Sequence, residues 1–471
     1  MKLINKKNKK YSQIFHLFTE ENWKESSKHF SKNIDLLFSG KKNEVHIQAS
    51  EDSILFLIGL GKSGAADFEF QQVGQKFSQT HKEKIQGAPT QIISENISEK
   101  QFEEFFKGLY LGTYSYNSDQ SHVLWSDKTE IHFENFSQKK LDHISLNTAA
   151  ICEGQFACME WLNKPANYKK TDVLSSFLKD LSKKYDFKYT SFNRKKCEEL
   201  GLGAYLAVNQ GSEKDAAFTV LEYKTKSKNA KTVGLIGKCV TFDTGGISIK
   251  ASDNMHYMKS DMGGATAVIG ALIYAAEKAL PVNIVAILPI TDNAVSENAY
   301  LPSDVIKAYN GKTIEVLNTD AEGRMTLADA LSYMSKNYRT DVMIDLATLT
   351  GSSVRMFGDT CGAMFSNNEN LKNLLLKTGD KTNQRLWNLP LWNVWKDDFK
   401  SDVADVKNIS MKPIGDCIVA AKFLEEFIEG HENWAHLDIA GVAFGNTGYS
   451  KEKAATGYGV QLLAEIIEKY Q

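Results

Sequence analysis

The segment NTDAEGRM, residues 318 to 325, places two carboxylates and a guanidinium at alternate positions, as Asp320, Glu322 and Arg324. A solvated turn is the simplest interpretation, because Asn, Asp and Gly favour turns and charged side chains are usually exposed. The same residue types can also do chemistry, since carboxylates bind divalent cations and a guanidinium fork fits a planar oxyanion. The neighbouring sequence decides between the two interpretations.

Two further segments carry charged residues of the same kinds. The sequence KCVTFDTGGISIK contains Lys238, Asp243 and Lys250, and the sequence MKSDMGGATAV contains Asp261 immediately before a predicted helix. An aspartate in that position can cap the helix. Four carboxylates brought together would repel one another strongly unless cations lay among them. Two divalent metal ions would balance the four charges.

The histidines narrow the class of metal site. The second part of the chain contains only His256, His431 and His436, and no HExxH motif, so a zinc site built from histidines is not expected. His436 is predicted to be a core histidine and His256 a loop residue. A site rich in oxygen ligands suits Mn²⁺, Mg²⁺ or Co²⁺, and Zn²⁺ also accepts carboxylates, so the identity of the metal stays open.

The elements that must position these residues follow from the hydrophobic pattern. Predicted strands alternate with predicted helices, which favours a mostly parallel sheet with helices on both faces and ligands at the carboxyl ends of the strands. The sequence TIEVLNTD also alternates as a strand does. If that strand runs on through the motif, Asp320, Glu322 and Arg324 point to one side. The predicted elements are strand 232–237, helix 263–279, strand 282–290, helix 326–336, strand 341–349, helix 418–428 and strand 434–441.

The fold class predicted is α/β, in two domains. Residues 1–148 have short apolar segments and are predicted to form a smaller N-terminal α/β domain, with a strand in SILFLIGLG and an amphipathic helix in SEKQFEEFFKGLYLGTYSY. Residues 149–175 are predicted to be a connecting helix and linker. Residues 176–471 are predicted to form a larger α/β/α catalytic domain around the mostly parallel sheet.

Composition favours a soluble protein with a small substrate. The 58 acidic residues nearly balance the 56 basic ones, so no overall field attracts nucleic acid or an anionic membrane. The first residues lack the apolar core of a secretory signal, and no apolar run reaches the ~20 residues that span a bilayer. Six cysteines without a CxxC pair suit reduced thiols. We therefore expect a cytoplasmic protein that does not bind membranes.

Beyond these patterns, several motifs carry a family resemblance. They are NTDAEGR, the GK pair at 237–238 with TFDTGGISIK, MKSDMGGA, PSDVIKAYNGKTIEV, DLATLTG and HLDIAGVA. Together, and in their order along the chain, these motifs resemble those of the leucyl aminopeptidases, also called cytosol aminopeptidases or peptidase family M17. The resemblance covers the whole predicted second domain, and the first 150 residues carry little of it.

The resemblance implies a site for two divalent metal ions, Mn or Zn, with Mg or Co as possible alternatives. Asp243, Asp320 and Glu322 would bind one metal. The second would be bound by Lys238 and Asp261, with Asp243 and Glu322 bridging. Lysine can serve as a ligand because a nearby dication favours its neutral amine.

The resemblance also implies a reaction. A metal-activated hydroxide would attack the first carbonyl of a peptide with a free N-terminus, Lys250 would stabilise the oxyanion, and Arg324 would hold a bicarbonate that acts as general base. Ala443 stands where some members carry Met, so the apolar pocket, which favours Leu or Met side chains, is expected to be roomier. A homohexamer is the assembly that the resemblance implies. The substrate-binding residues it implies are Met258, Thr348, Leu349, Gly351, Ala440 and Ala443.

Two alternatives remain on the sequence alone. A two-metal phosphoesterase also clusters carboxylates, but it predicts more histidines and no lysine ligand. A nucleic-acid-binding role would use the lysine-rich first 50 residues, with NKKNKK and GKKNEV, and would depend on salt. The balanced charge makes nucleic acid the less favoured partner.

Overall fold

The computed structural model describes residues 2–5, 11–30, 33–85, 89–116, 130–412 and 415–471. Its contacts divide the chain into two compact units. Unit 1 comprises residues 1–152 and 448–451, and unit 2 comprises residues 153–447 and 452–471. The division falls inside one long helix, Gln138–Asn163, which begins before the connecting segment predicted at 149–175.

Unit 1 is an α/β unit in which the described strands form a sheet of order β1-β6-β5-β2-β4-β3, with β3 and β4 antiparallel and the other neighbours parallel. The predicted strand and amphipathic helix are confirmed as β4 and α3. Phe102, Phe105 and Leu109 of α3 are buried on one face. The strands are β1 (Lys2–Ile4), β2 (Gln13–Thr19), β3 (Val45–Ala49), β4 (Ile54–Gly61), β5 (Thr90–Ile93) and β6 (Glu130–His132), and the helices are α1 (Glu20–Ser26), α2 (Asp67–His81), α3 (Glu99–Leu111) and α4 (Gln138–Asn163).

Unit 2 contains the remaining described elements, and its predicted strand at 232–237 matches β9 at both ends. The helices are α5 (Thr171–Tyr185), α6 (Arg194–Leu200), α7 (Gly203–Asn209), α8 (Gly263–Glu277), α9 (Glu322–Asn337), α10 (Gly351–Phe357), α11 (Glu369–Thr382), α12 (Asp416–Glu425) and α13 (Val460–Ile467). The strands are β7 (Lys188–Phe192), β8 (Ala217–Tyr223), β9 (Thr232–Gly237), β10 (Cys239–Asp243), β11 (Asn283–Asn293), β12 (Val305–Lys307), β13 (Thr313–Glu315), β14 (Val342–Ala347), β15 (Gly362–Ser366), β16 (Leu386–Asn388), β17 (Val406–Lys407), β18 (Trp434–Asp438), β19 (Phe444–Gly445) and β20 (Ala454–Ala455).

The main sheet of unit 2 has the order β16-β15-β18-β14-β9-β11-β8-β7, with β10 paired to β11. Its centre, from β18 through β14 and β9 to β11, is parallel, and β8 and β7 add an antiparallel edge. The predicted mostly parallel sheet is therefore confirmed. The strands at the centre consist mainly of buried apolar residues, as expected for strands covered on both faces.

Helices α8 and α9 cover opposite faces of this sheet. A Cβ atom added to Gly234 in β9 would meet Met334 of α9, whereas one added to Gly237 would lie 2.5 Å from the Cα of Ala265 in α8. The two glycines are three positions apart, and side chains on a strand alternate between faces. The first turn of α8 also lies close to β14, because a Cβ on Gly264 would be only 1.9 Å from the carbonyl oxygen of Leu346.

The expectation that a strand continues through NTDAEGRM is wrong. β13 ends at Glu315 and belongs to a separate small sheet of order β12-β13-β17. The side chain of Asn318 accepts a hydrogen bond from the backbone N–H of Asp320 at 2.8 Å, which starts a 3₁₀ turn, Thr319–Ala321. Helix α9 then begins at Glu322. Residues two apart in a helix point in nearly opposite directions, so Glu322 and Arg324 do not share one side.

Among the described residues, no helix combines the length and the apolar character that crossing a bilayer requires.

Candidate metal centre

Lys238 lies between β9 and β10 and contacts two of the predicted carboxylates. Its Nζ atom is 2.8 Å from Asp261 Oδ1, 2.8 Å from Glu322 Oε1 and 2.9 Å from the carbonyl oxygen of Thr348. Only 3% of the side chain is exposed. Burial by itself would lower the pKa of Lys238, but Asp261, Glu322 and Asp243 outweigh burial and raise it. The ammonium therefore serves as the counter-charge of this half of the cluster.

Lys250 is the counter-charge of the other two carboxylates, Asp243 and Asp320. Its Nζ atom is 2.8 Å from Asp243 Oδ2 and forms an ion pair with Asp320. Gly245 and Gly246 both have positive φ angles, 88° and 65°, and this turn after β10 brings the chain back so that the Lys250 N–H donates to the Thr244 carbonyl. Burial lowers the pKa of Lys250, but Asp243, Glu322 and Asp320 outweigh burial and raise it.

Three carboxylates lie close enough to bind one cation. Oxygen atoms of Asp243, Asp320 and Glu322 are within 4.8 Å of one another. The pKa of Asp320 is raised to about 6, first by burial and then by the charges of Asp243 and Glu322. Like charges held together in this way lower one another's acidity, and a divalent cation among them would reverse the effect.

The carboxylates are held in place by neutral donors. Asp243 Oδ1 accepts hydrogen bonds from the Gly245 N–H and from Asn293 Nδ2, both at 2.8 Å. Asp261 Oδ1 accepts one from the Thr348 hydroxyl at 2.8 Å. Asp261 thus points into the cluster, and the capping position of α8 is occupied by Met262, without a capping side chain.

One buried oxygen tests whether the cluster suits a metal. Glu322 is 1% exposed, and its Oε2 atom has no hydrogen-bond partner among the described residues. A buried carboxylate oxygen without a partner is costly. A divalent cation prefers carboxylate oxygens, and a site built from Asp243, Asp320 and Glu322 would give Glu322 Oε2 its missing partner. The residues therefore fit a hard divalent cation.

Arg324 stands apart from the lysines and makes no ion pair with the four carboxylates. It is buried in the first turn of α9, where Nη1 donates to the Asn408 carbonyl at 2.9 Å and Nη2 lies 3.2 Å from Asp416 Oδ1. Its Nε atom has no hydrogen-bond partner within the described ranges. Arg324 therefore keeps unused N–H groups with which it could bind an anion.

Three of the predicted substrate-binding residues pack beside the first turns of α9 and α8. Leu349 is adjacent, because a Cβ on Gly323 would lie 2.9 Å from Leu349 Cδ1 and 2.7 Å from Lys238 Nζ. Thr348 and Ala443 flank Gly263, whose added Cβ would be 2.9 Å from a methyl carbon of each.

The other three predicted pocket residues lie on the segments beside these. Ala440 donates its N–H to Asp438, which also accepts the Leu349 N–H. Gly351 begins α10 and is exposed, and Met258 is half-buried in the 3₁₀ helix Met255–Ser260, which also contains His256, predicted to lie in a loop. That these residues form a substrate pocket stays a prediction.

Sequence reasoning missed several residues that hold the site together. Asn293 bonds Asp243 and the Thr319 carbonyl, and Asn408 accepts the Leu317 N–H and donates to the Asn318 carbonyl. Asn293 ends β11, so its place at the carboxyl end of a parallel strand was a usable signal. Asn408 and Asp416 carried no such signal, because only the folded chain brings them to residues 317–324.

Comparisons with known proteins add to this geometry. The sequence profile described as the cytosol aminopeptidase family, catalytic domain, matches residues 156–464. A probable cytosol aminopeptidase of Chlorobaculum parvum is 48% identical over 316 residues, which is 67% of this chain and 63% of that protein. The chain thus spans less than two thirds of that relative's length. A probable cytosol aminopeptidase of Rickettsia felis is 36% identical over 451 residues, 92% of this chain and 90% of the relative.

A solved structure shows the same fold. The bottromycin maturation enzyme BotP in complex with Mn superposes with a TM-score of 0.86 at 27% identity, over 98% of this chain and 99% of that chain. The agreement extends along nearly the whole length of both chains.

Proposed function

The chain belongs to the cytosol aminopeptidase family, and from this premise we propose that it is a metal-dependent aminopeptidase that removes N-terminal residues from peptides. The observation that carries the proposal is the buried cluster of Asp243, Asp320 and Glu322, with oxygen atoms within 4.8 Å of one another. Asp243 ends the parallel strand β10, and the carboxyl ends of parallel strands are a typical place for a ligand.

We assign the ligands as the family resemblance implies. Asp243, Asp320 and Glu322 would hold one divalent ion. Lys238 and Asp261 would hold a second ion, with Asp243 and Glu322 shared between the two. Mn²⁺ or Zn²⁺ is the proposed metal, with Mg²⁺ or Co²⁺ as alternatives, and the relative BotP was solved in complex with Mn. Two such ions would supply Lewis-acid activation of a peptide carbonyl and of a water nucleophile.

The chain's own cations then have separate tasks. Lys238 would serve as a ligand only as the neutral amine, so metal binding there would release a proton. Lys250, which lies beside Asp243 and Asp320, would donate to the oxyanion that develops on the substrate carbonyl. The free Nε–H of Arg324, with one N–H of Nη2, would hold a bicarbonate that accepts a proton as general base.

The substrate class follows from the same arrangement. A free N-terminal amine can bind one metal while the first carbonyl binds the other, so the enzyme would act on peptide N-termini. The pocket residues Met258, Thr348, Gly351, Ala440 and Ala443 are largely apolar or small, which favours Leu and Met side chains. Leu349 would direct its carbonyl to the substrate amine.

Assembly and location are proposed from the family alone. We propose a homohexamer in the cytoplasm, in keeping with relatives named cytosol aminopeptidases. We also propose that residues 176–471 form the catalytic domain and residues 1–148 a separate domain. Size-exclusion chromatography with light scattering would give about six times the chain mass, and a monomer would contradict the hexamer.

The experiment that tests the proposed function is hydrolysis of leucine-p-nitroanilide across a panel of Mn²⁺, Zn²⁺, Co²⁺ and Mg²⁺. We expect activity with at least one metal and its loss in Glu322→Gln. The matched control is Glu369→Gln. It makes the same substitution at an exposed helix position far from the cluster in sequence, where the side chain is 79% exposed. No hydrolysis with any metal, or hydrolysis of p-nitrophenyl phosphate instead, would overturn the proposal.

A further inference from the structure

The guanidinium of Arg324 has one N–H group, that of Nε, without a partner among the described residues. Nη1 is fixed by the Asn408 carbonyl at 2.9 Å, and Nη2 makes its ion pair with Asp416 at 3.2 Å. The Nε–H, on a side chain that is 5% exposed, has no partner among the described residues. The Nε–H and one N–H of Nη2 point in parallel, and this fork fits two oxygens of a planar oxyanion.

Asn408 accounts for the position of Arg324. Its carbonyl accepts from Nη1, and its own side chain is tied to the Leu317 N–H at 2.9 Å and to the Asn318 carbonyl at 2.7 Å. Asn408 is fully buried. Because two side-chain hydrogen bonds hold this buried residue in place, its backbone carbonyl can orient the guanidinium without help from a carboxylate.

Asp416 is a different kind of partner. It is the first residue of α12, and 44% of its side chain is exposed. Its contacts are single and long, 3.2 Å from Oδ1 to Arg324 Nη2 and 3.4 Å from Oδ2 to the Ser352 hydroxyl. Arg–carboxylate pairs that fix geometry are usually bidentate and shorter. Asp416 therefore contributes charge to Arg324 more than it contributes position.

We propose that Asp416 sets the anion affinity of Arg324, keeping the bicarbonate subsite weak and readily exchanged. An anion on the free fork shares Nη2 with Asp416, so two negative charges meet at one guanidinium. The arginine charge is already partly balanced before the anion arrives. That the anion is bicarbonate rests on the proposed function, whereas the effect of Asp416 holds for any planar monovalent oxyanion, including nitrate.

The consequence is an anion subsite whose occupancy depends on the concentration of the anion. A tightly bound anion would be present at all times and would make activity insensitive to its supply. A carboxylate at 3.2 Å weakens binding, so hydrolysis should rise with bicarbonate over a wide range of concentration. Asp416 thus sets the affinity of the anion subsite through Arg324 and is not among the proposed metal ligands or substrate-binding residues.

Calorimetric titration with sodium bicarbonate, and with sodium nitrate as a planar anion that does not shift pH, tests this at constant ionic strength. The full chain is used without added metal, so that no metal carbonate forms. We expect Asp416→Asn to bind both anions about tenfold more tightly than the wild type, the effect of one partly exposed charge. Asp416→Glu, which keeps the charge, should stay near the wild-type value.

The control is Asp397→Asn, which removes the same charge from an exposed aspartate paired with Lys400. It should leave anion affinity unchanged. Unchanged or weaker binding in Asp416→Asn would overturn the proposal and would make Asp416 a positioning residue. No detectable binding of either anion to wild type and Asp416→Asn would overturn it as well.

Activity separates this proposal from the proposed function. With metal bound, Asp416→Asn should reach half-maximal hydrolysis of leucine-p-nitroanilide at about one tenth of the wild-type bicarbonate concentration. If wild type hydrolyses no peptide analogue, the proposed function fails while the binding titration still decides the role of Asp416. If wild type is active and the two proteins need the same bicarbonate concentration, the role of Asp416 fails alone.

Discussion

Asp345 and His436 are direct neighbours on the parallel strands β14 and β18, with His436 Nδ1 2.5 Å from Asp345 Oδ1. Both side chains are fully buried, and Asp345 Oδ2 also accepts a hydrogen bond from Trp434 Nε1 at 2.8 Å. Burial by itself would lower the pKa of His436, but Asp345 outweighs burial and raises it. Among the other charges near it, Asp438 raises this pKa and Arg324 lowers it. Asp345 therefore favours the charged form of the buried His436 ring, and His436 is a core histidine, as predicted.

This pair predicts how stability depends on pH. Because the native pKa of His436 is raised, its stabilisation is complete below the unfolded pKa of about 6.5 and is lost as pH rises through the native pKa. Within that window the free energy of unfolding should fall by about 1.4 kcal/mol per pH unit. Urea unfolding between pH 6 and 9 measures it.

The matched variant removes both charges at once. In the double variant Asp345→Asn/His436→Gln the fall in the free energy of unfolding with pH should disappear, because asparagine and glutamine have no titratable group. An unchanged slope would assign the pH dependence to other groups. The single variant His436→Gln should be destabilised by about 3 kcal/mol near pH 6, because it leaves the carboxylate of Asp345 buried without its partner charge.

Lys238→Arg tests whether Lys238 is a metal ligand. Arginine keeps the positive charge beside Asp261 and Glu322, but its guanidinium does not deprotonate and cannot offer a lone pair. We expect metal content to fall from about two ions to about one per subunit and turnover to fall at least about 100-fold, because two-metal chemistry loses one ion. Plasma emission spectroscopy after gel filtration measures the metal.

A control for Lys238 is Lys188→Arg, since Lys188 also pairs with a buried carboxylate, that of Glu222 at 2.6 Å, but is itself 64% exposed. Its metal content and turnover should match the wild type. Two ions retained in Lys238→Arg would show that Lys238 acts only as a counter-charge.

Arg324→Ala should separate metal binding from proton transfer. The side chain contacts Asn408 and Asp416 and makes no ion pair with the four carboxylates, so the metal content should stay as in the wild type. Turnover should fall by about 10² to 10⁴, the usual contribution of general acid–base catalysis. Arg339→Ala, an exposed arginine, is the control. Loss of metal in Arg324→Ala would mean that the two roles are not separate.

Ala443→Met should narrow the substrate pocket. Ala443 is buried against Gly263, and a longer side chain at this position would occupy space that an apolar substrate side chain needs. The ratio of kcat/KM for leucine-p-nitroanilide to that for alanine-p-nitroanilide should fall by about tenfold, typical of a misfit of a few methylene groups. Ala443→Gly should leave the ratio unchanged or raise it. An unchanged ratio in Ala443→Met would place Ala443 outside the pocket.

The parts of the fold that the sequence predicted are those with strong local patterns. β9 and the start of α8 match their predicted positions because the strand is a continuous apolar run and the helix begins at a glycine pair after a charged segment. The rule that ligands gather at the carboxyl ends of parallel strands predicted from the sequence that Lys238 and Asp243 lie close together. Their chemical roles stay predictions.

What the sequence did not predict depends on contacts between distant segments. The side chain of Asn318 turned the expected strand into a 3₁₀ turn, because a local hydrogen bond competed with the extended backbone. Asn408 reaches Arg324 from a segment about 80 residues further along the chain, and no periodicity reports such a contact. The partner of Arg324 at Asp416 was missed for the same reason.

The close approach of α8 to β14 and β9 has a practical consequence for protein engineering. At Gly237 and Gly264 the backbone of a neighbouring element occupies the place of a side chain, so these codons tolerate no diversity in a mutant library. Ala440 and Ala443 lie on one nearby segment and Thr348 on another, but Ala443 is buried against Gly263 and the Thr348 hydroxyl donates to Asp261, whereas Ala440 is half-buried. A library that fixes the two glycines and Thr348, randomises Ala440 and allows only apolar replacements at Ala443 would search for new substrate preferences with the least disturbance of the fold.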